Sequence, residues 1–404
     1  MTLTLLLDLD DTLLFNSMES FVPAYLNALS THLKDLVDPR RMSQALLSAT
    51  NLMAANTRLD YTLKQVFDEA FYPSIGYEEK QLSETLVDFY SRVFPTLQKY
   101  TSPNPSAINM VKQAFERGYR IAIATNPLFP LSAIIERLNW AGLPADNFPF
   151  ALIPSYETFH FSKPNPAYFA EFLAQLGWQE DPVLMVGNDF HNDIEPARSL
   201  GICAVWIKNN SSNDINNSSA TASLNNIGDL ISWLDSTPEE MLKPDFSSPS
   251  AYLAILRSTP AALQTNCNRV NKTLWNKRIQ PTEWSITEVL CHLRDVDIEV
   301  NLPRIQAVVS ENNPFLPGMD TDPWAEQRRY INQDCDQAMS SFIQVRSKIV
   351  DYLEKIDTSS WQRSARHAIF GPTRLIELVD IIAGHDRLHV QQIQKNINFH
   401  RNNK

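Results

Sequence analysis

The spacing of apolar residues changes rhythm twice along this chain. Residues 3–9 (LTLLLDL) run apolar and then meet Asp8, Asp10 and Asp11, a pattern that predicts a buried strand ending in a cluster of carboxylates. Over about 16–100 apolar residues recur at helical spacing, in Phe21–Leu29, Leu63–Ala70 and Leu82–Phe94, with little strand signal. Beyond 100, short apolar runs alternate with amphipathic stretches. A helix over about 104–117 stops at Gly118, and RGYRIAIATN reads as a second strand. A helix near 131–140 leads to FPFALIPS as a third strand. A helix near 166–176 ending at Gly177 precedes DPVLMVGND as a fourth, and a helix near 192–200 ending at Gly201 precedes ICAVWIK as a fifth.

Strands and helices in alternation predict an α/β, Rossmann-like parallel sheet covered on both faces, with 16–100 as a helical insertion after the first strand. In such a sheet the strand ends that carry Asp8, Thr125 and Asp189 form the ligand edge. The polar run 209–226 reads as a loop with little to bury, and Ile227–Leu234 as a helix closing the domain at about residue 235. Residues 236–248 read as a linker. From 249 to 404 the strand signal vanishes and four helices are expected, over about 249–273, 286–311, 331–355 and 373–396: a separate all-α four-helix bundle. The second starts with a capping box, Ser285 and Glu288.

Composition narrows the functional classes. The 404 residues are 44% hydrophobic and 20% charged, with a net charge of −11, and no apolar run is long enough for a membrane span. By count, 1–244 carries about −12 and 245–404 about +1. No dense basic stripe is present, which argues against nucleic acid as a partner. The four cysteines form no CxxC pair, which suits a reducing compartment and argues against a thiolate zinc site. No signal-peptide pattern is seen at the N-terminus, so a cytoplasmic protein is expected.

The chemistry gathers at two places. Phosphoryl transfer needs a nucleophile, a proton for the leaving alkoxide and positive charge about the phosphoryl oxygens. Asp8 and Asp10 offer two carboxylates, ATN a hydroxyl at Thr125 with Asn126 beside it, FSKPNP a cation at Lys163, and VGNDFHND the metal-suited oxygens of Asn188, Asp189 and Asp193. In the bundle, His385 and His389 stand four apart on one helical face, and His292 lies on the inward side of another helix. Three imidazoles suit zinc, nickel or iron and leave positions open for water or substrate. Asp11 is expected to bond only its turn, His160 and His191 to be non-catalytic, and His367 to be a solvated loop residue. Trp284 and Leu293 are expected to pack, and Asp295 to accept from His292 or face solvent.

The motifs DLDDTL, IATN, SKPNP and VGNDFHNDI, in this order and spacing, resemble those of the haloacid dehalogenase-like hydrolases, over roughly 1–235, and the helical insertion resembles the cap of the phosphoglycolate phosphatase-like branch. The resemblance implies Asp8 as nucleophile through an aspartyl-phosphate, Asp10 as acid then base, and Thr125, Asn126 and Lys163 on the phosphoryl group. It also implies magnesium (Mg2+) held by Asp8, the Asp10 carbonyl and Asp189. Many members have Gly-Asp where this chain has Gly187-Asn188, so the metal carboxylate is Asp189 or Asp193. We favour Asp189, with Asp193 orienting Lys163 or a metal-bound water and Asn188 auxiliary. Asp10 favours a phosphatase over a dehalogenase, because a halide leaves without a proton. EWSITEVLCHLRD followed by GHDRLHVQQI resembles the DinB-like, YfiT-related metal-binding bundles over about 248–400, which implies Zn2+, Ni2+ or Fe2+ at His292, His385 and His389, and homodimerisation through the bundle. The leading expectation is a magnesium-dependent phosphatase acting on a small phosphorylated metabolite. The alternative is a catalytically silent first domain joined to a metal-dependent thiol transferase or metal-binding sensor.

Overall fold

The computed structural model describes residues 3–16, 18–178, 180–208 and 219–402. The chain forms two compact units. One holds the residues up to Pro166 together with Glu180–Asp245; the other holds the segment starting at Ala167 together with the chain from Phe246 onward.

In the first unit, β1 (Thr4–Leu7) lies between two parallel neighbours, and Leu5, Leu6 and Leu7 are fully buried, as a strand covered on both faces requires. Two short strands, β2 (Leu14–Asn16) and β3 (Thr101–Pro103), pair antiparallel and form the stem of the helical insertion. The insertion contains α1 (Met18–His32), α2 (Pro39–Ala54), α3 (Leu63–Ile75) and α4 (Glu79–Asp88), the last running on through irregular helical turns to Tyr100. Helix α2 went unrecognised in the periodicity reading. Its signals are an Asp38 cap that accepts from the Arg40 and Arg41 N–H groups, Pro39 in the first turn, and buried Met42, Ala45, Leu46, Ala49 and Met53.

Then come α5 (Pro105–Glu116), β4 (Arg120–Ile123), α6 (Leu131–Trp140), α7 (Pro166–Gln175), β5 (Val183–Gly187), α8 (Glu195–Leu200), β6 (Cys203–Ile207), β7 (Ala222–Leu224) and α9 (Leu230–Ser236). The parallel sheet runs β4-β1-β5-β6-β7. Residues 148–155 do not form the expected third strand. Backbone bonds from Ala151 to Ile121 (2.7 Å) and from Ile123 to Leu152 (3.0 Å) hold them beside β4, and Pro149 and Pro154 lack the N–H donors a ladder needs. The edge strand at the other end of the sheet, β7, was not expected; it lies in the polar run 209–226, of which 209–218 lie outside the described residues.

The second unit is built on α10 (Pro249–Cys267), α11 (Ile286–Val296), α12 (Leu302–Ser310), α13 (Trp324–Gln327), α14 (Cys335–Lys355) and α15 (Leu375–Asn402). Helices α10 and α11 each pack against α14 and α15. The capping box of α11 forms as expected, and Asp297–Asn301 is a single π-helical turn between α11 and α12. Helix α7 belongs to this unit. Residues 167–178 are all buried, and the segment is anchored by Asn266 to the Ala174 carbonyl (3.4 Å), Arg269 to Gln175 (2.7 Å) and Gln391 to the Trp178 carbonyl (2.7 Å). Its signal was a run, YFAEFLAQLGW, whose apolar residues are interrupted only by Glu171 and Gln175.

Two expectations for this unit are corrected. The strand signal does not vanish: β8 (Phe315–Leu316), β9 (Ser364–His367) and β10 (Gly371–Arg374) form a small sheet. His367 is no solvated loop residue. It ends β9, is buried, and its Nδ1 accepts from the Ile369 (3.2 Å) and Phe370 (3.3 Å) N–H groups. Among the described residues no helix is long and apolar enough to cross a membrane.

Candidate active site and candidate metal centre

Strand β1 delivers Asp8 to the carboxyl edge of the sheet, its N–H bonded to the Val186 carbonyl of β5 (3.0 Å). Asp8, Asp10, Asn126, Lys163, Asn188, Asp189 and Asp193 line one pocket there. The Lys163 ammonium bridges Asp8 Oδ1 (2.8 Å) and Asp193 Oδ1 (2.5 Å), with all three side chains buried. With both carboxylates ionised, one cation between them leaves the trio at −1, which is costly unless further positive charge arrives. Burial, followed by the Asp8 charge, pushes the Asp193 carboxyl up, and Lys163 opposes this. Asp193 also accepts the Asp189 N–H (3.0 Å) and presses so close to the β5 backbone that a Cβ at Gly187 would lie 2.1 Å from its Oδ2; only glycine fits there.

The remaining predicted residues fall around this trio. Asn126 Oδ1 accepts the Lys163 N–H (3.2 Å), and Thr125 is buried beside it. Asp189 caps the helical turn that follows: Oδ1 accepts from the His191 and Asn192 N–H groups, and Oδ2 from the Asn192 side chain (2.7 Å). Asn188 Oδ1 accepts from Thr12, whose hydroxyl also reaches Asp8 Oδ2, each at 3.1 Å. Asp11 receives the Asn16 N–H (2.8 Å) in a turn where its own φ is +52°, as expected of a turn residue. His191 is exposed, whereas His160 is fully buried and its carbonyl accepts from Asn56 (2.8 Å).

Sequence reasoning missed three groups that touch the acids, Thr12, Asn16 and Arg137. Thr12 lies inside the quoted DLDDTL but was given no role. Arg137, on α6, is 2% exposed and ion-pairs with Asp10 Oδ1, which also accepts from Asn16 Nδ2 (2.8 Å). Burial pulls the guanidinium down to about 10, so it stays charged at neutral pH. The signal for Arg137 was a cation on the apolar face of α6, between Ile134 and Leu138.

The pocket suits magnesium in its chemistry. Its carboxylate and amide donors are oxygens, which favour a hard cation, and the uncompensated charge of the trio asks for one. Asp8 and Asp189 keep lone pairs beyond the bonds described.

The bundle brings the three predicted histidines together. His292 of α11 and His385 and His389 of α15 point their Nε2 atoms at one spot: His385 Nε2 lies 3.1 Å from that of His292 and 3.0 Å from that of His389. Among the described residues this is the one group of three such side chains whose donor atoms all lie within 4.8 Å of one another. Gln392 Oε1, 2.9 Å from His389 Nδ1, orients that ring, and Trp284 lies parallel to it at 6.1 Å. Asp295 does not serve His292; its oxygens accept from Arg294 (2.6 Å), Arg328 (2.8 Å) and Tyr330 (2.7 Å).

Burial, then the neighbouring histidines, lowers His292 to about 3. Burial and the Arg346 charge lower His385 to about 4, and burial and His385 lower His389 to about 4. Neutral imidazoles with crowded Nε2 lone pairs fit a divalent transition metal. A pH dependence follows. These folded-state values lie below the unfolded 6.5, so the unfolded chain takes up protons first and stability is lost as pH falls from 6.5 toward 4. Each imidazole costs up to about 1.4 kcal/mol per pH unit, less for the partly exposed His385 and His389. Chelator-treated protein should therefore show a lower denaturation midpoint at pH 5.5 than at pH 7; equal midpoints would contradict depressed imidazoles.

Residues 2–201 match the family model of the haloacid dehalogenase-like hydrolases, and residues 255–393 that of the DinB superfamily. A phosphoglycolate phosphatase of Mesorhizobium japonicum is 33% identical over 131 residues, which is 32% of this chain and 53% of the relative. The chain thus spans about half the length of that relative. A phosphoglycolate phosphatase of Aquifex aeolicus is 30% identical over 169 residues, 37% of this chain and 75% of the relative. Among solved structures, YfiT from Bacillus subtilis, a four-helix bundle, aligns at 16% identity with a TM-score of 0.35, over 40% of this chain and 90% of its own.

Proposed function

This chain belongs to the haloacid dehalogenase-like hydrolase family, and from that premise we propose that it is a magnesium-dependent phosphatase acting on a small phosphorylated metabolite. The observation that carries the reading is the buried Asp8–Lys163–Asp193 trio at the sheet edge, with a second, separately held carboxylate, Asp10, in the same pocket. Names of the relatives support the same class. We assign the hydrolase to about 1–235 and a metal-binding bundle to 249–404.

In this mechanism an Asp8 oxygen attacks phosphorus and the ester oxygen leaves, giving an aspartyl-phosphate. Asp10 protonates the departing alkoxide. Arg137 and Asn16 both hold its Oδ1, so Oδ2 is left to carry the proton. The same carboxylate then takes a proton from the water that cleaves the acyl-phosphate. Lys163, positioned by Asp193, and Thr125 and Asn126 hold the phosphoryl oxygens. Magnesium, held by Asp8, the Asp10 carbonyl and Asp189, would offset the charge of carboxylates and phosphate together. The test is phosphate release from a panel of phosphomonoesters, with magnesium and with chelator. Release that needs the metal supports the reading, and no release from any ester sinks it.

The bundle carries a second proposal, a divalent transition metal (zinc, nickel or iron) at His292, His385 and His389, on the convergence of the three Nε2 atoms. His385→Ala should remove nearly all bundle metal by elemental analysis and leave phosphate release intact. Loss of phosphatase activity in that variant would show that the two sites are coupled.

A further inference from the structure

Arg137 is not among the residues lining the carboxylate pocket, yet its guanidinium reaches one of the acids inside it. The side chain is buried, and Nη2 donates to Asp10 Oδ1. Nε finds no partner among the described residues. Two aromatic rings flank the group. The ring centre of Phe21, on α1 of the helical insertion, is 5.4 Å from the guanidinium carbon, and that of Phe129, soon after Asn126, is 5.5 Å from it.

Such a placement does little for stability. A guanidinium taken out of water loses hydration that one ion pair and two ring faces only offset, and an unpaired buried N–H adds to the cost. Asp10 gains little from it either, because its side chain is 26% exposed and already accepts from Asn16 Nδ2 (2.8 Å). A costly group beside a reacting acid points to a role in what that acid does.

Arg137 and Asn16 approach the same Asp10 oxygen from different elements, α6 and β2, so turning the carboxyl away breaks both contacts. The nucleophile and the phosphoryl-binding cation are held by other groups: Thr12 donates to Asp8, and Asp193 accepts from Lys163. Different side chains thus position the acid and the phosphoryl end of the site.

We propose that Arg137 is a positioning residue for the acid step: it fixes Asp10 for proton transfer to the leaving oxygen and takes no part in holding the phosphoryl group. The proposal rests on the phosphatase reading above. As the bond from Asp8 to phosphorus forms and the ester bond breaks, a proton passes from Asp10 Oδ2 to the ester oxygen, and the alcohol departs neutral. Misplacing a reacting group by about 1 Å can cost about a hundredfold in rate. Loss of Arg137 should therefore slow the reaction according to how much the leaving oxygen needs a proton. Through Phe21, helix α1 of the insertion forms one wall of this arrangement.

The test compares kcat/KM of the full-length, magnesium-loaded protein on para-nitrophenyl phosphate and phenyl phosphate, esters of similar size whose leaving oxygens differ in basicity. Phenoxide needs the proton more than nitrophenoxide does. Arg137→Met should cut turnover of phenyl phosphate about a hundredfold and of para-nitrophenyl phosphate less than about tenfold, with inhibition by inorganic phosphate within about threefold of wild type. Arg137→Lys keeps a cation without the planar fork and should show the same inequality in smaller measure, about tenfold against less than about threefold; it decides the matter if Arg137→Met does not fold. On whichever ester is turned over fastest, adding Arg137→Met to Asp10→Asn should cost less than about threefold more, because a residue that acts through Asp10 has nothing left to position. Equal losses on the two esters, or losses that multiply independently in the Asp10→Asn background, would overturn the positioning role and leave the phosphatase reading standing. Absence of phosphate release from every ester, these two included, would overturn both.

Discussion

Asp8→Asn should reduce phosphate release at least about a thousandfold, roughly 4 kcal/mol of barrier, while leaving the melting temperature within a few degrees of wild type. The amide is nearly isosteric but cannot form the aspartyl-phosphate. Its effect on the fold is small for an electrostatic reason. Asp8, Lys163 and Asp193 are buried and carry −1 when both acids are ionised, so neutralising Asp8 leaves Lys163 paired with Asp193 at zero net charge. Residual activity within tenfold of wild type would remove Asp8 as nucleophile. A large drop in melting temperature would mean that Asp8 holds the sheet edge together, and that its loss reports folding rather than chemistry.

Arg346→Met should destabilise the second unit by about 3–5 kcal/mol. Arg346 of α14 is fully buried and holds two buried acids: Nε donates to Asp297 Oδ2 (2.7 Å), Nη2 to Asp386 Oδ1 (2.9 Å), and Nη1 to the other Asp386 oxygen. Nη1 also reaches the Leu256 carbonyl of α10 (3.3 Å), and Asn301 donates to Asp297 Oδ1 (2.8 Å). One guanidinium thus ties α10, α14, α15 and the turn after α11. Removing it strands two carboxylates, whereas adding Asp297→Asn and Asp386→Asn to Arg346→Met should recover part of the loss, since neutral groups cost less to bury unpaired. Denaturant unfolding measures both steps. A loss below about 1 kcal/mol would mean that water reaches the acids. Because Asp386 adjoins His385 in sequence and the Arg346 charge helps lower the His385 pKa, the same variant should also alter metal binding by the three histidines.

Much of this was readable before any coordinates. The run LTLLLDL reads as a buried strand, and alternating apolar strands and amphipathic helices imply a parallel sheet whose carboxyl edge collects the polar residues. The i, i+4 pair His385 and His389 faces one way by helix geometry alone. These readings succeed because each depends on period, and period is a local property of the backbone.

Where a local rule competed with a partner far along the chain, the sequence fell short. FPFALIPS looks like a strand, but its two prolines and the space beside β4 decide otherwise. Helix α7 is buried on every side, Glu171 and Gln175 included, and nothing local says which elements cover it. Arg137 and Arg346 stand out as charges on apolar faces, yet their acids lie 127, 49 and 40 residues away. Three-histidine convergence needed α11 and α15 to meet. Sequence alone determined the buried strands of the parallel sheet, most of the long helices and the residue types at the sheet edge, because backbone geometry and side-chain hydrophobicity act over a few residues. Tertiary structure alone decided which charges neutralise one another and which imidazoles converge, because Coulomb energy and packing depend on distance in space.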